Sequence, residues 1–150
     1  MKEVRFIVEG EPVGKGRPRF VARYNAETGR SFGQAHTPEK TMVYENLVRV
    51  EYKAQTGGYR FDDNAMLDMR IMAFFGIPKS KSKKVKQKML EGKIRPTKKP
   101  DYDNVMKIVT DSLNDVAYKD DVQVVDAQCR KFYSDRPRVE IIIREIGGIE

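Results

Sequence analysis

The sequence predicts an α+β fold, in which a single domain over residues 1–150 packs its helices on a mixed β-sheet. Strand-like alternation and helical periodicity follow one another in the order strand, helix, strand, helix, helix, strand, strand. A length of 150 residues suffices for one ordinary hydrophobic core, and a hydrophobic content of 39% fits a small domain. The chain carries no internal repeat that would indicate a repeat architecture.

The first strand is predicted over residues 4–9, where apolar and polar residues alternate. Gly and Pro keep the following loop, residues 10–19, out of regular structure, and its tip is basic. Residues 23–24 and 30–32 are then expected to form the arms of an irregular hairpin around residues 25–29. This part of the chain therefore supplies a first strand and a cationic loop.

The first helix is predicted to begin after Thr37, a favourable N-cap, with Pro38 at the first helical position and Glu39 in the first turn. It is expected to end at Gly57 and Gly58, which favour the termination of a helix. Four apolar residues follow one another at helical spacing within it: Val43, Leu47, Val50 and Ala54.

A central strand is predicted over residues 65–77, because this stretch is rich in apolar residues and is bounded by Pro78. A short helix, capped by Ser80 or Ser82, should follow and end near Gly92. Its exposed faces are almost entirely lysine, so it is expected to form a cationic surface more than a part of the core.

A third helix is predicted after the linker at residues 96–100. Two β-like runs, residues 122–133 and 138–146, complete the chain, and their short connection predicts that they pair antiparallel. The third helix keeps a single apolar stripe: Val105, Ile108, Val109 and Leu113.

Charge is distributed unevenly along a chain whose net charge is +7. Residues 79–99 contain ten Lys or Arg against one Glu, so the rest of the chain is slightly acidic. Residues 100–126, directly after this run, contain seven Asp against two Lys. Carboxylates concentrated beside a polyanion-binding surface are explained most simply by divalent cations that bridge protein and phosphate. The pattern therefore indicates a nuclease.

Several other classes of protein are disfavoured. No apolar run approaches the roughly 18 residues of a membrane span, and the chain opens on a strand-like pattern, so we expect a cytoplasmic protein without a membrane partner. One cysteine, Cys129, cannot form an intramolecular disulfide, and a single His36 supplies no zinc-binding set. The expected ion is a hard, oxygen-preferring cation, Mg²⁺ or its common substitute Mn²⁺.

The candidate metal site begins at Asp101 and Asp103. Two residues at positions i and i+2 share one side of an extended chain but diverge on a helix. We therefore expect these carboxylates to share an ion only if the chain enters extended and the helix begins at or after Asp103, a geometry that Pro100 favours. Asp103, Lys107 and Asp111 then follow at i, i+4 and i+8 on one polar face.

Each of these features also has an ordinary structural explanation. Asp in the first turn complements the helix dipole, Asp103 and Lys107 form a common helix-surface pair, and Asp120–Asp121 is a common turn. Taken together the features favour a metal site, because Asp120–Asp121 introduces a strand that is expected to return beside the same helix.

These residues resemble the RusA family of Holliday junction resolvases. The motif is Asp-x-Asp-Asn-x-x-Lys, then Asp-x-Leu, then Asp-Asp-x-Gln-Val-Val-Asp. The resemblance is clear over residues 99–129 and weaker over the last strand, the loop at 14–19 and the helix start at 37–38. It implies a RusA-like α+β fold and a small homodimeric, Mg²⁺-dependent endonuclease. Such enzymes make paired nicks across four-way DNA junctions, in recombination or repair, and are often carried by prophages.

The resemblance also implies roles for particular residues. Asp101, Asp103 and Asp121 look like the metal-binding catalytic carboxylates, and Lys107 looks like the catalytic lysine. Three further residues match the motif and are expected to support the site: Asn104, Asp111 and Asp120.

Basic residues in the N-terminal loop and the Lys-rich segment, residues 79–99, are expected to contact phosphates of the DNA arms without reading bases. The alternative is that this segment is a solvated, flexible linker. The long Lys-rich insertion departs from shorter family members, which leaves the choice of substrate open. The predicted DNA-binding residues are Lys15, Arg17, Arg19, Lys79, Lys81, Lys83, Lys84 and Lys86.

Two other functions remain open at this point. The chain could be a non-catalytic protein that binds branched DNA, with the Asp cluster serving only as a helix cap, or a nuclease for flaps and forks. A homodimer is expected from the resemblance and from the two-fold symmetry of a junction. The apolar face of the first helix, or an edge strand, is the candidate interface.

Overall fold

The structure is a computed structural model that describes residues 2–16 and 38–147, together with the backbone of two strands between these ranges. Its elements confirm the predicted α+β class. In chain order they are β1 (Glu3–Glu9), β2 (Arg19–Asn25), β3 (Arg30–His36), α1 (Glu39–Thr56), β4 (Leu67–Gly76), α2 (Lys83–Leu90), α3 (Tyr102–Ser112), a 3-10 turn (Asp121–Gln123), β5 (Val124–Ser134) and β6 (Arg138–Glu145).

Strands β2 and β3 form a separate antiparallel hairpin of two strands. Each strand has seven residues, so the arms are longer than the short arms predicted. The predicted DNA-binding side chains of Arg17 and Arg19, and the predicted N-cap Thr37, lie outside the described residues. Among the helices that the structure describes, none is long and apolar enough to cross a membrane.

The main sheet has four strands in the order β1-β6-β4-β5. Strand β6 pairs antiparallel with both β1 and β4, whereas β5 pairs parallel with β4. The predicted antiparallel pairing of the last two strands is therefore wrong, because β4 lies between them. The short connection after β5 carries the chain past the end of β4, whose buried backbone groups need partners on both sides.

Strand β4 is the central strand that the sequence predicts. Its alternate side chains, from Leu67 to Phe75, are at most 2% exposed and contribute to the core with residues of α1 and α3. The predicted apolar stripe of α3 is confirmed, since each of its members is at most 1% exposed. The core lies between one face of the sheet and these two helices.

Helix α1 begins at Glu39, with Pro38 as the flanking cap residue, and ends at Gly57 in the left-handed conformation. Tyr52 packs edge-on against Phe6 of β1, with ring centroids 5.3 Å apart. The stripe that faces the core is Thr41, Tyr44, Glu45, Val48 and Tyr52. The stripe noted in the sequence lies on the other side: Val43 is 61% exposed, Leu47 39% and Val50 60%, and Ala54 is also exposed.

Helix α2 is capped by Ser82, whose hydroxyl oxygen accepts a hydrogen bond from the Val85 backbone N–H at 3.3 Å. Met89 buries its side chain, and the segment after the helix is fixed to β5, where Arg95 Nε donates to the Lys131 carbonyl at 2.8 Å. The Lys-rich segment thus contains an ordered helix and not only a flexible linker.

Candidate active site

The site begins at the start of α3, directly after the cis peptide bond between Lys99 and Pro100. The helix begins at Tyr102, one residue earlier than the predicted limit at Asp103. Asp101 is the cap residue and has an extended backbone, with φ −66° and ψ 154°. Its carboxylate accepts no capping hydrogen bond within the described part of the chain, although Asp is used at this position for that purpose. The Asp101 carboxylate therefore remains available for another partner.

One polar face of α3 carries the predicted lysine. Lys107 Nζ lies 3.4 Å from Asp111 Oδ2, and the two residues are one helical turn apart. The Lys107 side chain is 60% exposed, whereas that of Asp111 is 21% exposed. The ammonium group is thus directed by a partly buried carboxylate and still reaches solvent.

Asp120 and Asp121 play different parts in the turn before β5. Asp120 Oδ1 accepts a hydrogen bond from the Val122 N–H, and Gln123 Oε1 in return accepts one from the Asp120 N–H, which together form a capping box. The hydrogen bond from the Val122 backbone lowers the pKa of the Asp120 carboxyl. Asp121 is held by its backbone N–H, which donates to Asn114 Oδ1 at 2.9 Å, so its carboxylate is free to face α3.

The Asp121 carboxyl is unusually basic. Burial raises its pKa, and the nearby Asp120 and Asp111 carboxyls raise it further, to about 6. Carboxylates that crowd together in a partly buried place are stabilised by a cation. Asp121 thus has the electrostatic environment expected of a ligand to a divalent ion.

A groove of about 320 Å³ lies between α3 and β5. Asp103, Lys107 and Asp121 all line it, so the structure brings three of the four predicted catalytic residues together. Its remaining lining is largely apolar and includes Cys129, where burial raises the pKa of the thiol to about 11, which keeps it protonated. Cys129 is therefore a part of the groove wall and has no thiolate to offer.

The fourth predicted residue, Asp101, lines a neighbouring cavity of about 580 Å³ on the other side of the α3 start. No three carboxylates converge on one point within the described residues. The donor set nevertheless fits Mg²⁺ chemically, because it consists of carboxylate oxygens, one without a capping partner and one with a raised pKa.

The second cavity is walled by the loop that follows β1. Gly14 lies so close to the start of α3 that a Cβ there would be 2.7 Å from Pro100 Cβ, and the Lys15 N–H donates to the Asn104 carbonyl at 2.9 Å. On its other side, the Gly16 N–H donates to Thr41 Oγ1 of α1 at 3.0 Å. The loop is therefore fixed between the two helices.

Lys15, which stays a predicted phosphate contact, is paired with two carboxylates and does not project freely from this loop. Its Nζ lies 3.0 Å from Glu45 Oε2 and 3.4 Å from Asp111 Oδ2, and its side chain is 21% exposed. Burial lowers the pKa of the ammonium, but the hydrogen bond and charge of Glu45, together with Asp111, outweigh burial and raise the pKa above its ordinary value. The sequence did not predict the ion pair of Lys15 with Glu45, because no local sequence pattern indicates that a glutamate will lie on the buried stripe of a helix.

An α+β domain with carboxylates and a lysine around one groove fits an enzyme of phosphoryl transfer. The chain belongs to the RusA family, since the family model "Endodeoxyribonuclease RusA" matches residues 9–144. This match confirms the resemblance that the sequence motif indicated.

The chain is also similar to a protein of Bacillus subtilis (strain 168), "Uncharacterized protein YqaN". The two are 40% identical over 152 residues, which cover 97% of this chain and 98% of that protein.

The raised pKa of Asp121 leads to a prediction about stability. The pKa of Asp121 is about 6 in the folded state and about 4 in the unfolded chain. Above pH 6 the ionised Asp121 carboxylate therefore destabilises the fold. Below pH 4 this destabilisation disappears, because the carboxyl is protonated in both states. With EDTA present to remove divalent ions, Asp121→Asn should raise the free energy of unfolding at pH 7.5 by roughly 1 kcal/mol, a value that allows for solvent screening. At pH 4 the same substitution should change the free energy of unfolding little. Urea denaturation at both pH values measures this.

Asp135→Asn is the matched control, because Asp135 is an exposed aspartate in the connection between β5 and β6, outside the motif. It should change stability little at either pH. An equal effect of the two substitutions at pH 7.5 would contradict the electrostatic account.

Proposed function

We propose that this chain is a metal-dependent, structure-selective DNA endonuclease that resolves four-way junctions by paired symmetric nicks, in DNA recombination and repair. The observation that carries the proposal is the groove that Asp103, Lys107 and Asp121 share in a member of an endodeoxyribonuclease family. A helix cap alone would not account for this arrangement, because Asp121 comes from a different segment and lies against the lysine-bearing face of α3.

In this proposal Asp103 and Asp121 hold Mg²⁺, or Mn²⁺, through carboxylate oxygens, and Asp101, which lines the neighbouring cavity, stays a predicted third ligand. When bound, the ion supplies Lewis acidity and a water of lowered pKa at the scissile phosphate. Lys107 contributes a positive charge at the edge of the groove, where it can stabilise the charge that develops on the phosphate oxygens. Asp111 keeps that ammonium beside the groove through the 3.4 Å ion pair.

The DNA-binding surface is proposed to include α2. Lys83 and Lys84 occupy its first turn, which contains no acidic residue, so they add positive charge to the positive end of the helix dipole. This arrangement disfavours the isolated helix and favours a bound anion such as phosphate. The other predicted lysines of this surface are Lys79, Lys81 and Lys86, and Arg17 and Arg19 stay predicted contacts.

A homodimer is proposed to form through the exposed apolar stripe of α1, paired with the same stripe of a second copy. The stripe runs along the helix from Val43 to Ala54 at the spacing of a helix–helix seam. In an antiparallel pair about a two-fold axis, Glu39 in the first turn of one helix lies beside Lys53 in the last turn of the other, which is electrostatically favourable.

The nuclease proposal is tested by cleavage of end-labelled DNA. A four-way junction should be nicked symmetrically with Mg²⁺ and not with EDTA, and Asp103→Asn should lower the rate at least about 100-fold, because it removes a charge that the reaction requires. Asp135→Asn, outside both the groove and the motif, is the control and should cut normally. Flaps, forks and linear duplex are compared in the same assay.

The outcomes of this assay separate the competing functions. Tight junction binding without nicks under any metal would support a non-catalytic binding protein, and faster cutting of flaps or forks would change the substrate. Unchanged cutting by Asp103→Asn would mean that the site is assigned incorrectly.

The role of α2 in DNA binding is tested through salt dependence. Lys83→Gln with Lys84→Gln should weaken junction binding and reduce the slope of log K against log salt by up to about two units, since each phosphate contact contributes about 0.9. Lys93→Gln is a control within the same segment, because Lys93 is already paired with Glu91 at 3.1 Å. Fluorescence anisotropy across a salt series measures both quantities. Equal slopes for all three proteins would indicate that these lysines are merely solvated.

The dimer interface is tested by sedimentation equilibrium. Val50→Glu places a charge in the apolar seam and should convert the dimer to a monomer without unfolding it, because Val50 is 60% exposed in one chain. Leu90→Glu, an exposed leucine on α2, is the control and should remain dimeric. A wild-type monomer would contradict the dimer, and a dimeric Val50→Glu protein would move the interface elsewhere, for example to the edge strand β5.

A further inference from the structure

Lys15 lies at the centre of a chain of ion pairs that leads from α1 to the candidate active site. Its Nζ contacts Glu45 Oε2 at 3.0 Å and Asp111 Oδ2 at 3.4 Å, and the same Asp111 oxygen lies 3.4 Å from Lys107 Nζ. One carboxylate oxygen of Asp111 thus joins two lysines. Asp111 also faces Asp121 closely enough to raise the pKa of that carboxyl.

The two lysines that share Asp111 differ in how firmly they are held. Lys15 is 21% exposed, its backbone is hydrogen-bonded to Asn104, and its ammonium is anchored by Glu45, which is only 8% exposed as a residue. Lys107 is 60% exposed and has a long, flexible side chain on the surface of α3. Lys15 is therefore the fixed partner and Lys107 the mobile one.

We propose that Lys15 is a positioning residue: it fixes the Asp111 carboxylate, and Asp111 in turn directs Lys107 into the groove beside Asp121. This inference rests on the proposed nuclease function and deepens it, since it adds the N-terminal loop to the machinery of the site. Lys15 does not line the groove, so its ammonium acts on the groove through Asp111.

Loss of the Lys15 charge has two consequences in this arrangement. Asp111 loses the partner that fixes its orientation, so Lys107 is no longer held at the edge of the groove. Glu45 is left as a buried carboxylate without a described cationic partner, which is expected to destabilise the fold. The first effect changes catalysis and the second changes stability, and a pair of variants separates them.

The experiment compares Lys15→Met, the double variant Lys15→Met with Glu45→Gln, and Lys2→Met as a control for loss of one positive charge at a distant exposed lysine. The single-turnover rate constant on a four-way junction with saturating Mg²⁺, the junction affinity across a salt series, and urea stability are measured for each. Misplacement of a catalytic group by about 1 Å costs on the order of 100-fold in rate.

Lys15→Met should lower the single-turnover rate constant about 10- to 100-fold, while junction affinity and its salt slope stay within experimental error of wild type. The double variant should regain stability, because the neutral amide introduced by Glu45→Gln needs no cation, but its rate constant should remain low. Lys2→Met should match wild type in the rate constant and in junction affinity.

Four results would overturn the inference. A weaker affinity with a salt slope reduced by about one unit, at an unchanged rate constant, would make Lys15 a phosphate contact. Recovery of the rate together with stability in the double variant would make its role structural only. Wild type that cuts no branched DNA would remove the proposed function and this inference with it, whereas wild-type cutting matched by Lys15→Met would remove this inference alone.

Discussion

The burial of β4 on one face and along both edges determines where the candidate site can form. Because its backbone groups must be bonded on both sides, β6 occupies one edge and β5 the other. Strand β5 runs parallel to β4, and a parallel neighbour requires a long crossover, which here contains α2 and α3. The crossover returns the chain to the beginning of β4, where Leu67 pairs with Val124. Asp121, three residues before Val124, therefore lies beside the polar face of α3.

This site has an electrostatic cost that the rest of the fold must offset. Asp121 is partly buried among like charges, and Lys83 and Lys84 oppose the dipole of their own helix. Neither arrangement is what stability alone would select, since each would be relieved by an ordinary substitution. A cation between the carboxylates and a polyanion along α2, as proposed above, would lower both costs. The proposed function accounts for both unfavourable features, the carboxylates through the proposed metal ion and the lysines of α2 through the proposed nucleic-acid phosphates.

The sequence could predict those parts of the structure that depend on local patterns. Spacing and residue type predict the apolar stripe of α3, the central position of β4 and the Ser82 cap of α2. The RusA motif contains three of the residues that line the groove, which are Asp103, Lys107 and Asp121. The pairing of β5 and β6 could not be predicted in the same way. A short connection suggests a hairpin, but the demand of β4 for a second neighbour is a non-local constraint that no window of sequence contains. The ion pairs of Lys15 were missed for a similar reason, because its partners lie 30 and 96 residues further along the chain.

Helix α1 shows why an apolar stripe does not by itself identify the buried face. Two stripes run along this helix, and the core receives the one with Tyr44 and Tyr52, because aromatic rings bury far more surface than valine does. The aliphatic stripe is left facing outward, where four apolar side chains in a row are costly to hydrate. A lone exposed valine needs no explanation, but a continuous row at helical spacing does. Together with an acidic residue at one end of the helix and a basic residue at the other, this row is the reason why we propose that α1 pairs with its own antiparallel copy. The residues whose spacing predicts the helix thus form an apolar surface that is exposed to solvent in a single chain.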